Sequence, residues 1–273
     1  MRGILIVECK RAIHSIGMIV AVLMGIGCVV YQIIPIINKM CESEKMLSQY
    51  DYYISYTRGG FYNYWLPGYL DGSTIYFFYF IGILVALPYG ISYYNDKKSG
   101  VIKNICNRVN KKKYLNAKFF SVFFSGGIVA VIPLIVDFLI VRLIIPMDNF
   151  DIEGTCLNAI TEWHVFIVDH PYISMGIFLL MWFIFSGALA TISLMVSSFS
   201  NNFFSIQLSP FFFMMLLFYL PTFLADGYEK FFPFYFLSLF GKGNPLICMV
   251  ETLLILIVTY SVFVIGESKK DIL

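Results

Sequence analysis

Six apolar stretches, each about long enough to cross a bilayer, govern what this chain can fold into. They lie at 13–37, 74–94, 119–145, 172–198, 203–224 and 245–266. About 20 apolar helical residues, rising about 1.5 Å each, cross a hydrocarbon core about 30 Å thick. Lipid offers no partner for open backbone groups, so each stretch is expected to be a helix. Of 273 residues, 59% are hydrophobic and 13% charged, about half the charge of a soluble domain. An ordinary water-soluble enzyme is excluded, and 28 Phe with 19 Tyr exclude a disordered chain. The length is too small for a membrane bundle plus a full nucleotide-hydrolysing domain. The expectation is an all-α polytopic membrane protein, one six-helix domain over 1–273. The first stretch is too long for a cleaved signal peptide and lacks a small-residue cleavage site, so it reads as a retained anchor.

Orientation follows from Lys and Arg. With the N-terminus inside, the cytoplasmic pieces are 1–12, 95–118, 199–202 and 267–273, which hold 13 of the 19 basic residues. The outer pieces 38–73, 146–171 and 225–244 hold five, and Arg142 lies near the end of the third span. Acidic residues run the other way, with 11 of 17 outside. The expected protein is therefore a multi-pass protein of the cytoplasmic membrane with both termini in the cytoplasm. The net charge of +2 carries no nucleic-acid signal, because no basic patch interleaves with stacking aromatics. Of the six cysteines, only Cys41 and Cys156 fall outside, where a disulfide can persist; their spacing leaves the bond open. No Cys/His spacing suggests a metal site.

The segment 95–118 carries eight of the basic residues. Within it Val101, Ile105 and Val109 recur every four positions beside Ile102, a spacing that predicts a short amphipathic helix. Ser99 is the expected N-cap. Lys103, Arg108 and Lys111 to Lys113 lie off the stripe. Two readings follow: a helix lying on the inner membrane surface with its lysines at anionic lipid headgroups, or one docking on a cytoplasmic partner.

The order of these residues resembles the first cytoplasmic loop of ABC-2 type permeases, the membrane subunits of ATP-driven exporters. Asp96 and Gly100 match the acidic residue and glycine that open that pattern, and Lys118 matches the lysine that closes it. Val101 stands where Thr is frequent and Lys111 where Arg is usual. Glu8-Cys9-Lys10-Arg11 resembles the acidic-then-basic elbow, an interfacial helix over 1–12 before the first span. The resemblance covers the whole chain. It implies a coupling helix at 95–118 that rests on a cytoplasmic ABC ATPase subunit and transmits its motion. Asp96, Gly100, Val101, Ile105, Arg108, Val109, Lys111 and Lys118 are the expected coupling residues. This chain has no GxxxxGK[ST] phosphate loop, so ATP and Mg belong to the partner and no cofactor is expected here.

The first outer loop, 38–73, holds two aromatic runs, Tyr50 to Tyr56 and Phe61 to Trp65, around Arg58-Gly59-Gly60. They read as a small β-hairpin, serving either as an interfacial aromatic belt or as a cap on the exit. The segment 221–241 is too apolar for a free loop and too broken by Pro and Gly to span. It reads as paired short helices dipping into the outer leaflet, and similar re-entrant elements occur there in ABC-2 permeases. Asp137 and Glu251 fall inside spans, where charge is costly and marks a functional candidate. They are expected to be structural, cavity-lining or proton-relaying, while Arg142 snorkels outward. The small residues Ser186 to Ala190 permit close helix packing.

The leading expectation is the permease subunit of an ABC-2 type exporter for an amphipathic or hydrophobic compound such as a peptide, drug or lipid-like molecule. It would work with a second permease copy or a paralogue, and bacteriocin or antibiotic efflux or immunity is an analogy only. The alternative is an ion- or proton-coupled secondary transporter using Asp137 and Glu251. An intramembrane enzyme lacks support, because HExxH, GxSxG and paired catalytic carboxylates on one span are all missing.

Overall fold

The computed structural model describes residues 2–47, 65–66, 72–144, 170–219, 233–237 and 245–269. Among them every regular element is helical. Four helical stretches are long and apolar enough to cross a membrane: Ile16–Asn38, Lys111–Ile144, Tyr172–Ser197 and Leu246–Lys269. Tyr76–Ala86 and Phe203–Tyr219 are shorter apolar helices.

The chain starts with α1 (Arg2–Ile13), distinct from α2 (Ile16–Leu47). Ser15 separates them: its Oγ accepts the Met18 N–H at 3.0 Å, capping the start of α2. α2 continues well past 37, into what the apolar pattern assigns to the outer loop.

The expected continuous span at 74–94 is broken. α3 (Gly72–Ala86) ends before Leu87-Pro88-Tyr89-Gly90, and α4 (Ser92–Lys98) begins after that turn. Pro88 has no N–H for an i−4 bond. Gly90 sits where an added Cβ would lie 2.5 Å from the Ser193 hydroxyl. The 15 described residues of α3 rise about 22 Å before the break.

α5 is short, Val101–Cys106, and ends before Arg108 and Val109. Its N-cap is Gly100 in the left-handed region at φ 71, not Ser99. Ser99 instead closes α4, its hydroxyl donating to the Asn95 carbonyl at 2.8 Å. A left-handed residue suits glycine, which has no Cβ to clash.

α6 (Lys111–Ile144) begins inside the segment expected to be loop, so 111–118 is helical and continuous with the third span. Its 34 residues measure about 51 Å, which carries it beyond a 30 Å core. α7 (Pro171–Ser197) packs most extensively on α6. The contact is close because both helices present small residues. A Cβ on Gly187 would lie 2.7 Å from the Phe123 carbonyl oxygen, and one on Gly127 would lie 2.7 Å from the Phe183 ring. α8 (Phe203–Tyr219) approaches α3 as tightly, since a Cβ on Gly82 would be 2.6 Å from the Phe211 Cα.

The last described elements are α9 (Pro233–Leu237), α10 (Pro245–Tyr260), a π-helical turn at Ser261–Gly266 and α11 (Glu267–Lys269). π turns put one extra residue into a helical turn. Here the turn lies beside Tyr93, whose ring meets Phe263 edge-on at 5.0 Å and whose hydroxyl donates to Glu267 at 3.0 Å. The apolar core is continuous from Met18 on α2 through Phe77, Ile81 and Leu84 on α3 to Trp182, Phe185 and Leu189 on α7.

Apart from Trp65, the expected hairpin over 50–65 lies outside what the structure describes, as do the possible Cys41–Cys156 bond and most of 221–241. Trp65, at the end of the second aromatic run, is fully buried.

Gly187→Val should lower stability by about 1–3 kcal/mol, because the clash is with backbone that cannot rotate away. Gly27→Val, where an added Cβ meets nothing within 4 Å, should change it by less than about 0.5 kcal/mol. Thermal unfolding of the detergent-solubilised protein compares the two.

Candidate functional site

At the end of the bundle bearing α1, α4 and α5, four charged side chains from three helices close on one another. Lys118 is wholly buried, and the Glu8 and Asp96 side chains are 3% and 5% exposed. The Lys118 ammonium donates to Glu8 Oε2 at 2.9 Å, Asp96 Oδ2 at 2.5 Å and the Tyr89 hydroxyl at 3.2 Å. Those are all three of its donors. Arg11 spans the other side of the same two carboxylates, donating to Glu8 Oε1 at 3.2 Å and Asp96 Oδ1 at 3.1 Å. Tyr89 donates to Glu8 at 2.5 Å, and Tyr114 donates to Asp96 at 2.7 Å.

Each carboxylate thus accepts one lysine, one arginine and one tyrosine bond. Two negative and two positive groups cancel. Such closure is what allows ions to leave water, since an unpaired buried charge is very costly.

Local sequence explains part of the arrangement. Glu8 and Arg11 are three apart on α1, and Tyr114 and Lys118 four apart on α6, so each pair shares one helix face. The turn after Pro88 delivers Tyr89, and α4 brings Asp96 back toward the bundle.

Burial works against ionisation of Asp96. The Lys118 charge and hydrogen bond, with the bonds from Arg11 and Tyr114, outweigh it and hold the carboxyl below its usual range. For Arg11, burial likewise opposes the charge. The Asp96 bond and the fields of Tyr89, Asp96 and Glu8 prevail, and the guanidinium is held more firmly protonated than usual.

Beside this hub, α1 and the α5 segment enclose an open groove of about 720 Å³. Its walls include Ile4 and Val7 on one side and Asn104, Ile105, Arg108 and Val109 on the other. Tyr114 and Glu8 line it too, so the groove and the hub share residues.

The residues singled out from sequence are therefore divided. Asp96 and Lys118 meet directly; Gly100 caps α5; Val101, Ile105 and Val109 are half-buried; Arg108 is exposed; Lys111 opens α6 half-buried. Ile102, not the stripe at 101, 105 and 109, is the buried apolar residue of α5. Tyr89 and Tyr114 are the hub members that sequence reasoning missed. The i,i+4 spacing of Tyr114 to Lys118 is the one local signal for either.

Asp137 and Glu251 belong to other places. Asp137 is fully buried and accepts the Leu66 N–H, while Glu251 is half-buried with Oε2 meeting no hydrogen-bond partner among the described residues. Among the described residues no group of three or more His, Cys, Asp or Glu is placed to hold a metal. No known protein family, curated protein or solved structure matches this chain.

Lys118→Met leaves two buried carboxylates short of a cation and should cost about 3–5 kcal/mol. Adding Glu8→Gln and Asp96→Asn to it should restore part of that loss, measured by thermal unfolding in detergent. The Asp96 carboxyl is depressed in the folded state. Its contribution is therefore present above the ordinary carboxylate value of about 3.9 and is lost as pH falls through the lower folded value. The stability gap between wild type and Asp96→Asn should hold from pH 7 to 5 and narrow below about pH 4.

Proposed function

We propose that this chain is the permease subunit of an ABC-2 type exporter in the cytoplasmic membrane, driven by ATPase subunits on other chains. The observation that carries this reading is the meeting of Glu8, Asp96 and Lys118 on one ammonium group. They are among the residues by which the sequence resembles that family, and they come from separate segments. A hub that fastens α1 and α4 to α6 suits a part that receives force. Motion delivered to α5 or its groove passes to the third span as a rigid displacement instead of dissipating in a loop.

The groove supports the same reading. It offers apolar side chains from α1 and α5, with exposed Arg108 on its wall and Lys103 nearby on α5, which suits an acidic-rimmed docking element on the ATPase. In this scheme α1 is the elbow, α5 with its flanking turn is the coupling element, and α3 with α8 complete six spans. Both termini are cytoplasmic, and two permease copies, or this chain and a paralogue, face each other. ATP and Mg act on the partner. The cargo is amphipathic or hydrophobic, consistent with a pathway walled by aromatic and small side chains.

Gentle purification from the native membrane should recover an ATP-binding-cassette subunit, identified by mass spectrometry from its phosphate-loop sequence. Lys103→Glu with Arg108→Glu changes two exposed side chains and should reduce that recovery about tenfold or more while leaving thermal stability within about 0.5 kcal/mol. Full recovery of the ATPase with the double variant would refute docking at this groove. Finding no such subunit with the wild-type chain would refute the exporter reading.

A further inference from the structure

The hub takes in the carboxylates nearest to it and leaves two lysines of the same helices outside. Glu8 is the one acidic residue of α1, and with Asp96 it is turned inward and neutralised. Lys10 of α1 and Lys113 of α6 are exposed. Among the described residues no carboxylate lies within ion-pair distance of either.

Each of these lysines stands in an exposed apolar stripe. At about 100° per residue, Ile6, Lys10 and Ile13 share an arc of about 60° on α1, and both isoleucines are exposed. Lys113, Phe120 and Phe124 share an arc of about 40° on α6, and both phenylalanines are exposed. The two stripes lie on one side of the contact between α1 and α6. At that contact Glu8 meets Lys118, and the Cys9 Sγ lies 3.4 Å from the Ser121 Oγ. Around α1, Cys9 falls between Glu8 and the isoleucine stripe. Around α6, Ser121 falls between Lys118 and the phenylalanine stripe. Past the sulfur–hydroxyl contact, both helices therefore turn a lysine and two apolar side chains to the same corner.

The surroundings of such a corner are constrained from both sides. Exposed isoleucine and phenylalanine disfavour water, and an ammonium disfavours hydrocarbon. The corner thus fits the boundary where lipid headgroups meet acyl chains. Two cations with no counter-charge in the protein then call for one in the lipid. We propose that the α1–α6 corner is a binding site for an anionic phospholipid, its headgroup engaged by Lys10 and Lys113 and its chains lying on Ile6, Ile13, Phe120 and Phe124. The site needs only a membrane around the long apolar helices and does not rest on the exporter reading.

The test is native mass spectrometry of the full chain in a neutral detergent, titrated with phosphatidylglycerol and separately with phosphatidylcholine. The first phosphatidylglycerol should bind about tenfold or more tighter than the first phosphatidylcholine. Lys10→Gln and Lys113→Gln should each weaken it about fivefold, what one lysine contributes at an anionic surface. Lys112→Gln removes an exposed charge about 100° round α6 from Lys113 and should stay within about twofold.

Equal binding of the two lipids would overturn the proposal, as would phosphatidylglycerol binding that survives loss of both lysines. Weakening by Lys112→Gln as large as by Lys113→Gln would also overturn it, because the attraction would then be diffuse. Displacement of the lipid by inorganic phosphate, at an ionic strength matched with chloride, would assign the lysines to a soluble anion and refute the lipid site. A dimer that forms at the expense of lipid binding would give the corner to a second copy, with the same consequence. Failure to recover an ATPase subunit would remove the exporter reading and leave these affinities as they are.

Discussion

A single buried ammonium sets the terms for one whole end of this molecule. Lys118 projects from α6 and is wholly buried. An ammonium there is tolerable only if anions follow it in and every donor is matched. Two carboxylates supply the anions, and they in turn demand a second cation, which Arg11 provides, and further donors, which Tyr89 and Tyr114 provide. Satisfying all these groups requires α1 to lie against α6, the chain to turn after Pro88, and α4 to return Asp96 to the same point. The positions of three helices are therefore consequences of one electrostatic condition.

The two ends of α6 solve the burial of charge differently. Near its start, four ions and two phenols neutralise one another in a closed network. Toward its other end, Asp137 is buried with a backbone amide as its hydrogen-bond donor and, among the described residues, one oxygen without a partner. The first arrangement is rigid because loosening any member strands an ion. Between them α6 and α7 meet through Gly126, Gly127 and Gly187.

Much of this was legible from residues alone. Hydropathy located the long helices because a lipid-facing helix must be apolar over its full crossing. Asp96 and Lys118 are two of the eight coupling residues the loop pattern implies, and Glu8 with Arg11 belongs to the elbow pattern of the first helix. The meeting of all four was not legible, because contact between residues 110 apart depends on how helices pack, and helix periodicity describes only one helix at a time. The break after Ala86 was missed for a related reason. Pro88 and Gly90 sit in an apolar run that hydropathy averages over, and their effect shows only once Gly90 must clear Ser193. Ser99 looked like a helix cap by residue type, yet the left-handed turn gave that position to Gly100.

By itself, the sequence determined the solvent in which this chain folds, the helical state of its apolar stretches and the concentration of basic charge near α5. These follow from composition and spacing along one chain direction, where local physics suffices. The tertiary structure decided which charges neutralise one another, where α3 stops, that Trp65 is interior, and that Asp137 holds a backbone amide. Each of those depends on groups far apart in sequence sharing one desolvated space. There the cost of an unmatched charge or an unpaired N–H selects among packings that the linear pattern leaves equivalent.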